Sequence, residues 1–380
     1  MSERSGIGVV EVVGGAAVGL VAVGATATVL ARRFAAFRRR DAEADIVFGR
    51  RQVKNADGVR VDDVFTDDGL PLQVQQVGPD DATMTVVFSH GYTLTSDSWY
   101  YQRAELEPLT GPSLRLLFYD QRGHGASGWG APERGTIDQI ADDLARILDE
   151  RVPNGRIVLV GHSMGGMAIM GLAEHRPELF GPRIVGVALL STSTGNLASV
   201  GFGLPQAITG VSTAVLPLIA KLARQQPKVA ERTRRLGKDV AFLATKRMTF
   251  SGRDVTPGLA SYVDRMIAST PADVIGAFFP ALAGFDKSGV LGPLESVATL
   301  ILCGDADRTT PKAHSELLAE KLPGSELVIV EDAGHLAQME RPEIVNYHLR
   351  AFLRRCARRR PRAASIVSIG EPAVGRPADR

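Results

Sequence analysis

The chain has 380 residues, 44% of them hydrophobic, and a formal net charge of +2. These values indicate a globular protein with a sizeable core, built as one large domain with additions or as two domains. The two cysteines, Cys303 and Cys356, exclude a disulfide framework and lack metal-ligand spacing, so we expect Cys303 to be a small buried hydrophobe. Arginine clusters at 32–40 and 354–360 enclose a more acidic chain, and no nucleic-acid motif is present. This charge pattern favours contact with anionic lipid over nucleic acid.

An uncharged segment with the length of a membrane span lies at residues 12–31. About 20 helical residues cross a bilayer core of roughly 30 Å. Arginines follow the segment and little positive charge precedes it. The positive-inside rule therefore predicts a single-pass N-terminal anchor with the remainder of the chain in the cytoplasm. Two alternatives stay open: a helix lying on the membrane surface, and a signal peptide cleaved after Ala25-Thr26-Ala27.

Short apolar runs alternate with amphipathic segments along much of the remaining chain. The turn signal Asp67-Asp68-Gly69 predicts that the first two runs form a hairpin, and Thr136 is a candidate helix cap. Strands alternating with helices predict an α/β fold with a mostly parallel sheet covered on both faces. The predicted strands are 60–66, 72–77, 85–89, 114–119, 156–160, 184–190, 298–303 and 326–330, and the predicted core helices are 136–151, 167–173, 311–321 and 342–355.

Strand alternation is missing from about residue 195 to residue 294. This stretch predicts helices at 207–224, 228–249, 259–269 and 271–284, separated by proline and glycine breaks. Because it falls between two core strands, we interpret it as a helical cap inserted over the strand ends. The predicted organisation is an anchor with a basic flank (1–40), a linker (41–56), the first part of the core (57–194), the cap (195–295), the second part of the core (296–357) and a disordered tail (358–380).

The segment Gly161-His162-Ser163-Met164-Gly165 joins a predicted buried strand to a predicted helix. Small residues allow the strained backbone of such a turn, and the serine hydroxyl is then exposed at the sheet edge below the positive end of a helix. This succession of strand, turn and helix resembles the nucleophile elbow of the α/β-hydrolase family. The alternative is a structural glycine turn in another doubly wound sheet.

Asp307 and His335 each follow a predicted strand, as Ser163 does. The carboxyl ends of parallel strands share one edge of a sheet, where ligands bind. A serine needs a base that takes its proton, and a carboxylate orients the histidine that acts as this base. The chain order Ser, Asp, His is also the order in α/β-hydrolases.

The resemblance extends over residues 59–353 and is closest to the cap-bearing, lipase- and esterase-like branch of that family. The motifs that carry it are His90-Gly91, Asp120-Gln121-Arg122-Gly123-His124-Gly125-x-Ser127, Gly161-His162-Ser163-Met164-Gly165-Gly166, Gly304-x-x-Asp307-x-x-x-Pro311 and Gly334-His335.

This resemblance implies an α/β-hydrolase fold with an eight-stranded, mostly parallel sheet and an inserted helical cap. It implies that Ser163, Asp307 and His335 are the catalytic residues, and that the backbone amides of Tyr92 and Met164 form the oxyanion hole. No metal or organic cofactor is implied.

Asp305 is a rival for the carboxylate, but the family pattern places a proline four residues after the acid, and Pro311 fits Asp307. The other six histidines are rivals for His335. We expect His90 and His124 to shape backbone turns, His162 to point away from the site, His175 to end a helix at the surface, and His314 and His348 to be solvated.

Together these inferences predict a serine hydrolase that cleaves carboxylic esters of apolar acyl chains and contacts membrane lipid through its N-terminal segment. Two alternatives are a carbon–carbon bond hydrolase with the same three residues and a non-catalytic binding protein of the same fold. A serine nucleophile excludes the relatives that attack with aspartate. The oligomeric state is not predicted. Five aromatic residues either line an acyl channel or pack the cap on the core: Phe242, Phe250, Phe278, Phe279 and Phe285.

Overall fold

The computed structural model describes residues 58–109, 111–195, 197, 247–252 and 255–359. These residues form one eight-stranded sheet with helices on both faces, as the sequence predicts. The strands are β1 Arg60–Phe65, β2 Pro71–Val77, β3 Met84–Ser89, β4 Leu114–Tyr119, β5 Arg156–His162, β6 Ile184–Leu190, β7 Ala298–Gly304 and β8 Glu326–Val330. The α-helices are α1 Tyr100–Leu106, α2 Ile137–Arg151, α3 Met164–His175, α4 Pro257–Ser269, α5 Ala272–Ala283, α6 Gly292–Glu295, α7 Lys312–Lys321, α8 Ala337–Glu340 and α9 Pro342–Arg358.

The strand order places β5 near the middle of the sheet. From edge to edge the order is β1-β2-β4-β3-β5-β6-β7-β8. β2 runs antiparallel to both β1 and β4, and the remaining neighbours are parallel. The carboxyl ends of β3 to β8 therefore meet at one edge, which is where ligands bind in open parallel sheets.

Alternation along the central strands builds two cores, one on each face. Leu159 and Ile301 pack on the face covered by α2, α3 and α7. Val158 and Leu302, one position away, pack on the opposite face against α1, α8 and α9. Successive strand side chains point to opposite faces, so a sheet covered on both faces needs nearly continuous apolar strands. This requirement explains the uninterrupted hydrophobic runs of the sequence.

Helix α9 shows how the flanking helices are attached to the sheet. Its buried residues Val345, Leu349, Phe352, Leu353 and Cys356 recur at the spacing of one helix face. They join the core formed with the strands, so the helix buries this stripe against the sheet. Both cysteines are buried and free, which confirms the prediction for Cys303.

The predicted strands agree with the observed ones to within two residues at each end. The predicted hairpin is the β1–β2 pair, and Thr136 caps α2 by accepting the Gln139 N–H at 3.1 Å. The sequence missed three short helices, α1, α6 and α8. Each has seven residues or fewer, which is too short for helical periodicity to stand out.

Helices α4 and α5 lie in sequence between β6 and β7 and pack on loops at the carboxyl edge of the sheet. The Tyr262 hydroxyl on α4 donates to the Asp97 carbonyl at 3.2 Å. The Tyr92 hydroxyl donates to the Ile275 carbonyl of α5 at 2.5 Å, and the Trp129 indole donates to Asp273 at 3.0 Å. These two helices therefore cover loops that follow β3 and β4.

Several predictions fall outside the described residues: the anchor at 12–31, the linker, the helix at 207–224, most of the helix at 228–249 and nearly all of the tail. Within the part of the chain that the structure describes, no single helix combines the length and the apolar composition of a membrane span. α4 and α5 meet that criterion only as a pair bent by 94°.

Candidate active site

Ser163 occupies the turn between β5 and α3, in a backbone conformation that few non-glycine residues adopt. Its φ is 51° and its ψ is −117°. The turn is sterically tight, because a Cβ on Gly161 would lie 2.6 Å from the carbonyl carbon of Gly165. Residues in such strained regions persist only where the surrounding structure imposes them, and they cluster at functional sites. The predicted sharp turn is therefore present, with Ser163 at its apex.

Asp307 and His335 come together because they follow β7 and β8, which are adjacent parallel strands. His335 Nδ1 lies 2.9 Å from Asp307 Oδ2 and 3.2 Å from Oδ1. The Asp307 side chain is fully buried, and 10% of the His335 side chain is exposed. The carboxylate therefore binds one ring nitrogen of His335 and leaves the other, Nε2, facing away from it.

The Asp307 carboxylate is held by three further donors. Its Oδ1 accepts the backbone N–H groups of Thr309 and Thr310, each at 2.9 Å, and its Oδ2 accepts the Thr310 hydroxyl at 2.9 Å. Burial by itself raises the pKa of Asp307, but the attraction of His335 and these hydrogen bonds outweigh it and bring the pKa below 3.8. The carboxylate is therefore ionised at neutral pH.

Thr310 was not identified from the sequence. Its hydroxyl lies 3.3 Å from His335 Nδ1 as well as 2.9 Å from Asp307, so it contacts both members of the pair. The signal that points to it is an aspartate followed three residues later by threonine, just before a proline and a helix. An aspartate at such a position commonly accepts the backbone amides two and three residues ahead.

His162 links the His335 loop to the Ser163 turn. Its Nε2 lies 2.9 Å from the His335 carbonyl oxygen, and the two ring centroids are 4.8 Å apart. Burial, with a contribution from nearby His335, lowers the pKa of His162 to about 3, so the ring is neutral and its Nε2–H can donate to that carbonyl. The expectation that His162 points away from the site is wrong. As the last residue of β5, it faces the loop that follows β8.

The loop after β3 approaches Ser163 from the other side. A Cβ on Gly91 would lie 3.2 Å from the Ser163 Cβ and 2.6 Å from His162 Nδ1. Tyr92 is the next residue, and Met164 is the first residue of α3, where a backbone N–H has no partner within its helix. In the described residues neither of these two amides donates a hydrogen bond. Both predicted oxyanion donors are thus available near Ser163.

His90 and His124 bond to the backbone of neighbouring turns, as expected. His90 Nε2 accepts the Gln121 N–H at 2.9 Å, and His124 Nε2 accepts the Thr93 N–H at 3.2 Å. Burial lowers the pKa of His90 to about 4 and that of His124 to about 3. Both rings are neutral acceptors that shape the loops after β3 and β4.

The remaining rivals lie apart from the Asp307–His335 pair. Asp305 is exposed, and its carboxylate accepts the Ala333 N–H at 3.3 Å. His175 ends α3 at the surface as expected, 2.7 Å from Asp142. The expectation that His314 is solvated is wrong, because its ring is half-buried against the loop after β6, whereas the His348 side chain is 27% exposed, as the His175 side chain is. His314 lies 2.8 Å from the Ser193 hydroxyl, and His348 lies 3.4 Å from Glu326.

Three of the five predicted pocket aromatics are buried: Phe250, Phe278 and Phe285. Phe278 lies against His124 and Trp129, with centroids at 5.7 and 5.9 Å, and Phe250 packs with Leu336 and Met339. These contacts favour the packing role over a channel lining for these residues. Phe279 is half-buried, and Phe242 lies outside the described residues.

Two other polar features do not belong to this cluster. A cavity of about 420 Å³ opens between the loops after β3 and β4 and helix α4, and its lining includes Asp97, Asp120 and Arg265. Asp138, Glu174 and His175 form an exposed acidic cluster on the surface. The Lys287 ammonium already binds both carboxylates, so the cluster is neutralised by a lysine.

The model of the alpha/beta hydrolase family matches residues 86–346. The chain belongs to the alpha/beta hydrolase family. This membership agrees with the resemblance inferred from the motifs, and the strand order and helices described above are those of an alpha/beta hydrolase fold.

Individual relatives of this alpha/beta hydrolase are distant. The dihydrolipoyllysine-residue acetyltransferase component of the acetoin cleaving system of Pseudomonas putida is 26% identical over 277 residues, which are 71% of this chain and 63% of that protein. The alignment thus spans less than two thirds of that relative. 3-Oxoadipate enol-lactonase 2 of Acinetobacter baylyi is 26% identical over 295 residues, 77% of this chain and 97% of the lactonase. A solved esterase of Thermogutta terrifontis is 26% identical with a TM-score of 0.61, covering 78% of this chain and 99% of the esterase.

Proposed function

We propose that this alpha/beta hydrolase cleaves carboxylic esters of apolar acyl chains through a covalent acyl-enzyme on Ser163. The observation that carries the proposal is the buried Asp307–His335 pair, with 2.9 Å between Oδ2 and Nδ1, on the sheet edge where the strained Ser163 turn lies. An esterase and an enol-lactonase among the relatives support the reaction class, because a lactone is a cyclic ester.

In the proposed first step, Ser163 Oγ attacks the ester carbonyl carbon while its proton passes to His335 Nε2. The carbonyl oxygen becomes an oxyanion that accepts the backbone N–H groups of Tyr92 and Met164. The bond from carbon to the leaving oxygen then breaks, and His335 returns the proton to the departing alcohol. Water repeats the same steps on the acyl-enzyme, releasing the carboxylic acid and restoring the serine. Asp307 orients His335 and stabilises the imidazolium that forms.

The geometry of the Asp307–His335 pair suits this sequence of steps. Within the described residues no hydrogen bond joins the Ser163 hydroxyl to His335, and catalytic hydrogen bonds often shorten only when substrate is bound. Asp307 is ionised, since its pKa lies below 3.8, and it already holds Nδ1. The imidazole therefore has the tautomer in which Nε2 is free to accept a proton.

Labelling with a fluorophosphonate probe tests the nucleophile. We expect the wild-type chain to be labelled and Ser163→Ala to be unlabelled. Ser191→Ala is the matched control, because Ser191 is a second buried serine with a positive φ but follows β6, and it should leave labelling intact. Equal labelling of the wild type and Ser163→Ala would refute the assignment.

A panel of p-nitrophenyl esters of increasing chain length tests the substrate class. The proposal expects turnover that rises with acyl length up to an optimum. Hydrolysis of vinylogous diketones without ester turnover would instead indicate the carbon–carbon bond hydrolase. Ligand binding without turnover of any ester would indicate a non-catalytic binding protein.

We also propose that residues 12–31 anchor the chain in a membrane with the catalytic part in the cytoplasm. The support is the uncharged length of that segment and the arginines that follow it. Such a location suits substrates that partition into lipid. Recovery of the full chain in the membrane fraction, released by detergent but not by salt, is the expected result. Full recovery in the soluble fraction would contradict the anchor.

A further inference from the structure

Residues 247–251, here called the bridging segment, contact both loops that carry the acid–base pair. The Arg308 guanidinium donates to the Arg247 carbonyl at 2.7 Å, and the Thr309 hydroxyl donates to the Met248 carbonyl at 3.3 Å. On the other side, the His335 N–H donates to the Thr249 carbonyl at 2.8 Å. The bridging segment therefore joins the Asp307 loop to the His335 loop.

The approach of the bridging segment to the His335 loop is close. A Cβ on Gly334 would lie 2.6 Å from the Phe250 carbonyl carbon and 2.6 Å from the Ser251 nitrogen. Phe250 is buried with Leu336 and Met339 and with α4 residues such as Val263. Packing of the bridging segment is thus continuous from α4 to the residues that flank His335.

One carboxylate fastens this contact. Glu340 ends α8, five positions after His335, and its Oε1 accepts the Gly334 N–H at 2.7 Å while its Oε2 accepts the Ser251 N–H at 2.8 Å. Each oxygen thus binds a different chain segment, one just before His335 and one in the bridging segment. A carboxylate satisfies the two amides with separate oxygens, whereas an amide side chain in the same position would turn its NH2 donor towards one of them.

We propose that Glu340 is a positioning residue for His335, and that it acts by locking the His335 loop to the bridging segment. The inference rests on the proposed function, because it assigns to Glu340 the placement of the proposed base. Loss of the lock lets the His335 backbone move relative to Ser163 and Asp307, and small displacements of a catalytic group are costly to turnover. The two bonds that Glu340 makes are to backbone amides beside the proposed base, so we expect the loss to appear in kcat and not in KM.

Glu340→Gln is the main test, with Glu340→Ala as the larger perturbation. Glu343→Gln is the matched control, because it removes the same charge from the exposed first turn of α9. Turnover is normalised to the fraction of sites labelled by fluorophosphonate, so that misfolded protein does not count. We expect Glu340→Gln to lower kcat by about 10-fold to 100-fold with KM within about twofold of the wild type, and Glu343→Gln to match the wild type.

A second readout does not need activity. The proton on His335 Nδ1 faces the Asp307 carboxylate and should give a low-field imidazole resonance, assigned by its absence in His335→Asn. In Glu340→Gln we expect this resonance to broaden or shift, and the apparent pKa of kcat/KM to fall because the pairing of His335 with Asp307 weakens. Both should be unchanged in Glu343→Gln.

Each outcome decides the proposal. If Glu340→Gln keeps the wild-type kcat, pH profile and low-field resonance, Glu340 is not a positioning residue. If Glu340→Ala does not fold, the isosteric Glu340→Gln decides alone. If the wild type hydrolyses no ester and takes up no fluorophosphonate, the proposed function fails. The low-field resonance then decides whether Glu340 positions His335. A broadened or shifted resonance in Glu340→Gln supports that role, and an unchanged resonance overturns it.

Discussion

Two regions at the carboxyl edge of the sheet each bury a carboxylate against a basic partner. After β4, Arg122 donates to both oxygens of Asp143 at 2.6 and 2.7 Å, with side chains 0% and 2% exposed. After β7, Asp307 meets His335 at 2.9 Å, with the aspartate side chain equally buried. By burial and distance alone the two pairs look alike.

The partners differ in what they can do. The Arg122 guanidinium keeps its proton at any working pH, and its two N–H donors that face Asp143 are both used. The pair therefore fixes the loop after β4 to α2. The His335 imidazole can accept a proton on Nε2 and give it up again, and within the described residues Nε2 has no partner. A buried ion pair is therefore a candidate for proton transfer only when its basic member is titratable and has a second nitrogen that is not bonded to the carboxylate.

Asp307→Asn should give the largest effect in this comparison. Asparagine still accepts the amides of Thr309 and Thr310, but it no longer stabilises an imidazolium or the required tautomer. We expect kcat to fall by about 10³-fold to 10⁴-fold, with a smaller loss of thermal stability than in Asp143→Asn, because the neutral His335 leaves no unpaired charge buried. Ester turnover and thermal unfolding of the same preparation measure both quantities. A loss smaller than about tenfold would remove Asp307 from the proposed mechanism.

Asp143→Asn should show the opposite pattern. The Arg122 charge would stay buried with only Asp68, at 3.3 Å, to compensate it. Breaking a buried pair in this way typically costs about 3–5 kcal/mol of folding free energy. Turnover per labelled site should stay within about threefold of the wild type, because this side-chain pair shares no hydrogen-bond partner with Asp307 or His335 in the described residues. Chemical unfolding with Asp142→Asn as an exposed control checks this, and a selective loss of turnover with full stability would reverse the roles of the two pairs.

The same comparison shows why part of this site could be predicted from the sequence. Ser163, Asp307 and His335 each stand at the end of an apolar run, and strands of this kind are recognised from local periodicity. Parallel pairing then brings their ends to one edge, so the sequence predicted the fold and the proximity of Asp307 to His335. Asp305 and Asp307 differ by only two positions, and the structure shows which of the two faces the histidine.

The contacts that hold these residues in place depend on tertiary packing, which periodicity does not report. Glu340 sits in a one-turn helix and binds a segment 89 positions away, and His162 faces a carbonyl 173 positions away. His314 lies on a helix that the sequence predicts, which favours a solvated ring, yet it bonds to Ser193 across 121 positions. Long-range hydrogen bonds of this kind leave no regular signal in one sequence.

The buried neutral histidines give a smaller, pH-dependent effect. Burial lowers the pKa of His90 to about 4, and of His124 and His162 to about 3, from an ordinary value of 6.5. Below pH 6.5 the unfolded chain binds protons that the folded chain does not, so stability falls as the pH falls towards 4. Each such histidine contributes about 1.4 kcal/mol per pH unit within that window.

Unfolding free energies between pH 7 and pH 4.5 measure this slope. His124→Asn should reduce the slope by about 1.4 kcal/mol per pH unit, the contribution of one proton. An equal slope in the wild type and His124→Asn would show that other groups cause the acid sensitivity. Protonation of Asp307 lowers the free energy of unfolding further, but only below about pH 4. Its lowered pKa means that the ionised carboxylate stabilises the folded state above that pH.

Asp305→Asn should give the smallest change in turnover and stability. It is also the most direct comparison with Asp307→Asn, because both aspartates lie in the same loop. Asp305 precedes Asp307 by two positions in the same loop, but it is exposed and accepts only the Ala333 N–H, at 3.3 Å. Asparagine keeps that acceptor and removes the charge, so stability should change by no more than about 0.5 kcal/mol and turnover by no more than about twofold. A loss approaching that of Asp307→Asn would mean that the loop exchanges its two carboxylates when substrate binds. The pairing of Asp307 with His335 would then not be the one used in the reaction.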